Sequence, residues 1–275
     1  MTRSIFRWLM LSVFMTVAFV CGADMTAKSK NTTKKAGTVQ IKKRNEKFGI
    51  DVSHHNGLIN WKKVAKGSKP LFVYVKATEG AGYVDKDYTR NITEARKEGL
   101  KVGSYHFFRM TSGAHAQFRN FINTVGDKKQ DLIPMVDIET TDGRSRRAVL
   151  DSLKVFLDLL ERHYRVRPLI YSHNSHYNDI CAPELNKYPL YIARYHYKEP
   201  AIKGKGTYTI WQYSETGRID GIPERVDLAR FHSGSSVKNI LLGKNKIKPQ
   251  KKPNDKGKGK KKTTKRSNAS KKGRR

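Results

Sequence analysis

The sequence predicts an α/β fold, and within that class an irregular (β/α) barrel of the TIM type. Strand-like and helix-like stretches alternate from Phe48 onward, which is typical of a parallel sheet. Eight strand-like stretches can be counted, and acidic or aromatic residues gather where they end. The active sites of TIM barrels lie on that face. A doubly wound open sheet is the alternative, but no glycine-rich phosphate loop supports it.

Each element is predicted from the spacing of its apolar residues. The strands are short apolar runs at 48–53, 71–77, 101–108, 132–139, 167–173, 189–195, 207–214 and 226–231. Helical spacing follows the first four strands, at 61–66, 87–98, 112–124 and in a long amphipathic stretch with Val149, Leu153, Phe156, Leu157 and Leu160. The connections after the fifth to the seventh strand look short or non-helical, so we expect an irregular barrel.

The fourth predicted strand carries two acids at its carboxyl end, Asp137 and Glu139. Side chains in a strand alternate between faces, so both carboxylates point the same way, roughly 6–7 Å apart. Like charges at this spacing push their pKa values apart, which leaves one carboxyl group protonated beside an ionised one. This pair suits general acid–base catalysis on a glycosidic or similar bond. The alternative is a strand that ends in a solvated turn.

The other strand ends carry acids and aromatic residues as well. In chain order these candidates are Asp51, Glu79, Tyr105, Tyr171, Arg194, Trp211 and Asp227. Aromatic faces bind the apolar faces of sugar rings, and carboxylates bind sugar hydroxyls, so this rim predicts a sugar site.

Metal-dependent and serine-based catalysis are not predicted. His54, His55 and His106 come from two different strands, and the chain has no His-x-x-x-His pair. It also has no G-x-S-x-G elbow. We therefore expect no metal and no cofactor.

Several motifs, in the same order, resemble glycoside hydrolase family 25, the lysozymes of the Chalaropsis type. They are Asp51 to Gly57, Lys76 to Gly80 with Tyr83 and Asp85, Gly103 to Phe107, Asp137-Ile138-Glu139, Trp211 to Ser214, and Val226-Asp227. The resemblance covers residues 48–232. It implies an irregular β/α barrel that hydrolyses the β-1,4 bond between N-acetylmuramic acid and N-acetylglucosamine in peptidoglycan.

The resemblance also implies roles for the candidate residues. Glu139 is the expected general acid, and Asp137 is its partner. Because the substrate carries an N-acetyl group, its acetamide oxygen can attack the anomeric carbon while Asp137 orients the amide; we favour this substrate-assisted mechanism with retention, and inversion stays open. Asp51 and Asp227 complete the catalytic set. The expected substrate contacts are Glu79, Tyr105, Tyr171, Arg194 and Trp211, for which a barrel-core or salt-bridge role is the alternative.

The ends of the chain differ from the middle in composition. Residues 1–23 join a basic start to an apolar run and small residues, which predicts an export signal; a lipid on Cys21 would instead anchor the protein to a membrane. Residues 24–47 are lysine-rich without hydrophobic periodicity and predict a disordered linker. The barrel is expected at 48–242 as a single catalytic domain, and 243–275 is expected to be a disordered lysine-rich tail.

The charge of the tail predicts an anionic partner. The formal net charge is +32, and 16 Lys or Arg with a single acid follow Gly243. Such a segment binds polyanions. Export to the periplasm or the cell exterior makes an anionic envelope polymer the expected partner, rather than any specific nucleic acid. We expect a monomer.

Two other functions stay open at this point. The same residues could hydrolyse another N-acetylated glycan such as chitin. The barrel could also be a non-catalytic scaffold that binds polyanions, although the intact set of Asp51, Asp137, Glu139 and Asp227 argues against this.

Overall fold

A closed ring of eight strands forms the centre of the fold. The computed structural model describes residues 47–126 and 130–247. The predicted export signal, nearly all of the predicted linker and the tail from residue 248 onward lie outside the described residues. Within the described ranges, no helix combines the length and the apolar character needed to cross a membrane.

The strands and helices occur close to their predicted positions. The strands are β1 Gly49–Val52, β2 Val73–Glu79, β3 Tyr83–Val84, β4 Val102–Phe107, β5 Met135–Asp137, β6 Leu169–His173, β7 Leu190–Ala193, β8 Ile210–Gly217 and β9 Val226–Phe231. The helices are α1 Trp61–Lys66, α2 Tyr88–Lys97, α3 Ala114–Val125, α4 Arg146–Tyr164 and α5 Asn174–His176, and α5 continues into a π-helical turn at Tyr177–Cys181. Short 3-10 turns lie at His54–Asn56 and Val237–Ile240.

The strand pairing confirms the predicted irregular barrel. β1, β2, β4, β5, β6, β7 and β8 are parallel neighbours, and β9 closes the ring between β8 and β1. β9 lies at its predicted residues but runs antiparallel to both neighbours. Only residues 218–225 join β8 to β9. This is enough for a reversal of direction but short of the dozen or more residues that a parallel crossover needs. The sequence interpretation also missed β3, which pairs with β2 as a hairpin.

The fourth predicted strand is shorter than expected. β5 covers Met135–Asp137, because Pro134 has no N–H to donate to a neighbouring strand. Upstream of this proline, the Ile133 N–H donates to the Ile240 carbonyl at 2.8 Å. Downstream, the Ile138 N–H donates to the Tyr171 carbonyl at 3.0 Å, so extended pairing continues one residue past the strand. Asp137 therefore ends β5, and Glu139 lies in the loop that follows.

Aromatic rings fill the interior of the barrel near β1, β2 and β7. Phe72 packs edge-on against Tyr74 and Tyr191, with ring centroids 6.0 and 6.3 Å apart. Two inward positions must be glycine to make room for them: a Cβ on Gly49 would lie 2.1 Å from the Phe72 ring, and one on Gly103 would lie 2.6 Å from the Tyr74 ring. Outside the barrel, α4 buries the apolar stripe predicted from the sequence. This packed base leaves the carboxyl ends of the strands to form the site.

Candidate active site

Asp51, on β1, is held from two other strands. Its carboxylate accepts a hydrogen bond from the Tyr191 hydroxyl at 2.6 Å and another from the Gln212 side-chain amide at 2.9 Å. Asp227 stands directly opposite it in the β1–β9 pair. Two carboxylates at facing positions of neighbouring strands repel each other when both are ionised, so this placement favours a functional interpretation of the pair over a stabilising one.

Gln212, on β8, joins residues from three parts of the rim. Its amide oxygen accepts hydrogen bonds from the hydroxyls of Tyr171 at 2.8 Å and Tyr195 at 2.7 Å, while its amide N–H donates to Asp51. Gln212 is fully buried. One side chain thus sets the positions of two tyrosines and one catalytic candidate.

Asp137 and Glu139 lie at the carboxyl end of β5, next to Tyr171. Asp137 is 2% exposed and pairs in register with Phe107 on one side and Tyr171 on the other. Glu139 is half-buried in the loop. Burial raises the pKa of the Tyr171 phenol well above its usual range, and the negative charges of Glu139, Asp51 and Asp137 raise it further. Three of the predicted acids therefore converge on one neutral tyrosine.

Tyr191 and Tyr195 report the same acidic environment on the other side of the site. Burial raises the pKa of both phenols, and the charges of Asp51 and Asp227 raise them further. Both hydroxyls therefore stay protonated and act as hydrogen-bond donors. The four predicted catalytic acids are thus brought together around a shared set of tyrosines.

Of the predicted substrate contacts, Tyr171 and Tyr105 face the interior of the barrel, whereas Glu79 is held by cations. Tyr171 lies in the site, and Tyr105 is buried on an inward-facing position of β4 beside Lys76. Glu79 accepts hydrogen bonds from Lys76 at 2.7 Å and from Arg109 at 3.2 Å. Burial acts to raise the pKa of Glu79, but the hydrogen bond from Lys76 and the charges of Lys76 and Arg109 hold it below its ordinary value. Glu79 is therefore an ionised member of a salt-bridge network.

Arg194 and Trp211 contact each other and the loop after β7. Neighbouring strand residues face opposite ways, so Trp211 points to the outside of the barrel while Gln212 points inward. The indole N–H of Trp211 donates to the Arg194 carbonyl at 2.8 Å, and its ring lies under the Arg230 guanidinium at 4.3 Å. The Arg194 guanidinium donates to the Glu199 carbonyl at 2.8 Å. These contacts favour the structural alternative for both residues.

The sequence interpretation missed Gln212, Tyr191 and Tyr195 as site residues. Gln212 belongs to a motif quoted above, where its neighbour Trp211 was chosen instead. Strand alternation was the signal available: the polar Gln212 follows the apolar Ile210 on the inward side of β8, while its sequence neighbours Trp211 and Tyr213 face the other way.

His106 is a structural residue of the barrel wall. It is fully buried, its ring nitrogens contact the Thr78 hydroxyl at 2.7 Å and the Gln117 amide oxygen at 2.9 Å, and burial lowers its pKa to about 4. Among the residues that the structure describes, no group of three or more His, Cys, Asp or Glu side chains is arranged to hold a metal ion.

A closed barrel with acids clustered on its rim is an arrangement that glycoside hydrolases use. The family model of glycosyl hydrolases family 25 matches residues 50–222, and the chain belongs to this family. The chain is 34% identical over 188 residues to the protein YegX of Escherichia coli strain K12, a match that covers 67% of this chain and 69% of YegX.

Two further relatives carry the name lysozyme. Lysozyme M1 of Streptomyces globisporus is 34% identical over 212 residues, which covers 72% of this chain and 71% of that protein. The crystal structure of the bacterial lysozyme from Streptomyces coelicolor superposes with a TM-score of 0.64 at 32% identity, covering 72% of this chain and 96% of that one.

Proposed function

We propose that this glycoside hydrolase is a muramidase. It cleaves the β-1,4 bond between N-acetylmuramic acid and N-acetylglucosamine in peptidoglycan. The observation that carries the proposal is the pair Asp137 and Glu139 at the end of β5, one buried and one half-buried, beside the neutral phenol of Tyr171. The similarity to Lysozyme M1 and to the Streptomyces coelicolor lysozyme supports the choice of substrate.

In this mechanism Glu139 donates its proton to the glycosidic oxygen, and the bond from the anomeric carbon to that oxygen breaks. The acetamide oxygen of the same sugar attacks the anomeric carbon and forms a cyclic oxazolinium intermediate. Asp137, which lies deeper, accepts a hydrogen bond from the acetamide N–H and stabilises the positive charge of the oxazolinium ring. The Glu139 carboxylate then takes a proton from water, which opens the ring at the anomeric carbon with net retention. Asp51 and Asp227 contribute negative charge from the other side of the same rim.

The remaining contacts follow from the same geometry. We assign Tyr171 and Tyr105 as contacts for the sugar next to the scissile bond, since both face the interior of the rim. The chain acts as a monomer and uses no metal or cofactor in this proposal.

The products of peptidoglycan digestion test this proposal. Mass spectrometry of the released fragments should find muramic acid at the reducing end. Fragments that end in N-acetylglucosamine, or digestion of chitin oligomers without digestion of peptidoglycan, would contradict it. The chitin result would favour the other N-acetylated glycan, and binding without any cleavage would favour the non-catalytic scaffold.

We also propose that the protein is exported and acts in the periplasm or outside the cell. The first 20 residues join a basic start to an apolar run, and Cys21-Gly22-Ala23 offers small residues for cleavage. The mature chain should begin near Asp24. An intact mass of the exported protein tests this, and a diacylglycerol mass on Cys21 would show a membrane anchor instead.

The lysine-rich tail is proposed to bind an anionic envelope polymer. The described chain is held to the barrel beyond the predicted boundary at 242, since Lys246 donates to the Tyr164 carbonyl at 2.8 Å. The test therefore removes the residues after Ile247. Exposed charges are screened over about 10 Å in 0.1 M salt, so the full chain should be retained on whole cell walls at low salt and released as salt rises. Equal retention of the full and shortened chains at low salt would contradict the proposal.

A further inference from the structure

The loop that carries Glu139 is anchored on both sides of this residue. We infer that Arg109 and Asp142, which together we call the clamp, are positioning residues that hold Glu139 in reach of the glycosidic oxygen. This inference rests on the proposed role of Glu139 as the proton donor.

The anchor before Glu139 is made by the backbone of Ile138. Its N–H donates to the Tyr171 carbonyl at 3.0 Å, and its carbonyl accepts from the Ser172 hydroxyl at 2.7 Å. Ile138 itself is fully buried. The chain is therefore fixed to β6 one residue ahead of Glu139.

The anchor after Glu139 is the carboxylate of Asp142. Arg109 approaches both of its oxygens, with Nε at 3.1 Å from one and Nη2 at 2.9 Å from the other. The Met110 N–H donates to the same carboxylate at 2.8 Å, and the Thr140 hydroxyl donates at 3.3 Å. The Asp142 side chain is only 9% exposed, and its φ of 46° places it in the left-handed region, which an aspartate tolerates better than most residues.

Arg109 is in turn held at three points. Gln117 fixes its backbone, accepting from the Arg109 N–H at 3.0 Å and donating to the Arg109 carbonyl at 2.7 Å. The third point is Nη1 of the guanidinium, which donates to Glu79, the partner of Lys76. The clamp is therefore one end of an ion-pair chain, Lys76–Glu79–Arg109–Asp142, which runs from β2 to the Glu139 loop.

This arrangement solves a problem that the half-buried position of Glu139 creates. A general acid must lie within hydrogen-bond reach of the atom it protonates, and a misplacement of about 1 Å can cost on the order of a hundredfold in rate. A loop residue beyond the end of a strand has no ladder to hold it. With anchors at Ile138 and Asp142, only Glu139, Thr140 and Thr141 lie between fixed points.

The test compares two substrates with different leaving groups. A variant that displaces the proton donor should be slow on peptidoglycan, but nearly normal on an aryl β-glycoside of an N-acetylated oligosaccharide, whose leaving group needs little protonation. We expect Asp142→Ala to lower kcat on peptidoglycan by about 10- to 100-fold, and on the aryl glycoside by less than about threefold. Arg109→Lys keeps the charge but loses the bidentate contact with Asp142. It should also lose more activity on peptidoglycan than on the aryl glycoside, but by a smaller factor than Asp142→Ala.

Arg146→Ala is the matched control. Arg146 contacts both oxygens of Glu184, at 3.0 and 2.6 Å, and two backbone carbonyls, and these partners lie within residues 179–184 rather than in the loop that carries Glu139. Its removal should leave both activities unchanged.

The outcomes separate the clamp from the proton donor. Equal losses on the two substrates, or no loss at all, would overturn the clamp. If Asp142→Ala does not fold, Arg109→Lys decides; if neither folds, the pair is a requirement of the fold and the positioning role is withdrawn. Glu139→Gln is measured beside them. If Glu139→Gln loses as much activity on the aryl glycoside as on peptidoglycan, the assignment of Glu139 as the acid fails. If the aryl glycoside restores activity to Glu139→Gln but not to the clamp variants, only the clamp is refuted.

Discussion

Two sides of the barrel mouth hold their acids in different ways. On one side Asp51 accepts hydrogen bonds from neutral donors, the Tyr191 hydroxyl and the Gln212 amide. On the other side Glu79 and Asp142 accept from the cations of Lys76 and Arg109. Neutral donors orient a carboxylate without adding a positive charge, whereas the cations of Lys76 and Arg109 balance the charge of the acids they contact.

This difference predicts which acids serve chemistry and which serve architecture. The negative charge of Asp51 raises the pKa of Tyr171, Tyr191 and Tyr195 in addition to the effect of burial. Negative charge fixed at this place can stabilise the positive charge that develops at an anomeric carbon. The balanced charges of the ion-pair chain cannot do this, but they can hold a loop.

The largest expected effect separates the two acids at the end of β5. Glu139→Gln should lower activity on peptidoglycan by about 10²- to 10⁴-fold, because the leaving sugar needs the proton, and much of this loss should vanish on a good leaving group. Asp137→Asn should lower activity on peptidoglycan by a similar factor, and a good leaving group should not restore it. The charge that Asp137 stabilises develops whatever group departs. Rates on both substrates measure this. The reverse pattern would exchange the two roles.

The second effect tests the acid held by neutral donors. Asp51→Asn should lower kcat/KM on peptidoglycan by roughly 10- to 100-fold, because it removes a fixed charge from the site while keeping the shape of the side chain. The midpoint of thermal unfolding should stay close to that of the wild type. An Asp51→Asn enzyme that keeps full activity would break the distinction between the two sides.

The third effect is a pH dependence of stability on the side with the ion pairs. Gln117 uses its amide oxygen to accept from both His106 and the Arg109 N–H, so His106 donates through Nε2, and in the neutral ring Nδ1 accepts from the Thr78 hydroxyl. Burial lowers the folded pKa of His106 to about 4, from an ordinary value of 6.5. Between these values the unfolded chain binds more protons, so this stability is complete above 6.5 and is lost as pH falls towards 4.

The size of this dependence follows from the shift in pKa. Each unit is worth about 1.4 kcal/mol, which gives roughly 3 kcal/mol in the free energy of unfolding. Urea unfolding of the wild type and His106→Gln between pH 4 and 7 checks it. The variant should lack the dependence over this range; an equal slope in both proteins would assign it to other groups.

Local patterns in the sequence predicted most of the fold, and long-range partners account for what they did not predict. The strand ends follow from apolar runs, and the stripe on α4 follows from its period. The antiparallel direction of β9 depends on the length of its connection to β8. The sequence interpretation began β5 too early because it did not consider that Pro134 has no N–H to donate. Lys76 lies close enough in sequence to suggest a pairing with Glu79. Arg109 and Asp142 are 33 residues apart and meet only because β4 and β5 are neighbours.

The network around Asp51 shows the same limit. Gln212 and Asp51 are 161 residues apart, and their contact depends on closure of the barrel through β9. The inward direction of Gln212 could have been read from strand alternation. Its three partners could not, because each comes from a different strand or loop.

The smallest expected effect comes from Glu79, the central acid of the ion-pair chain. Glu79→Gln should lower the free energy of unfolding by about 1–2 kcal/mol at pH 7, because it leaves Lys76, which is 8% exposed, without its charged partner. Activity on peptidoglycan should fall by only a few-fold, through a looser Arg109. The folded pKa of Glu79 lies below its ordinary 4.5, so its contribution is complete above 4.5 and is lost as pH falls through the folded value. The stability difference between wild type and Glu79→Gln, measured by urea unfolding, should therefore shrink below pH 4.5, whereas the His106 contribution already begins to fall at 6.5. A large loss of activity with unchanged stability would place Glu79 with the catalytic acids and erase the contrast between the two sides.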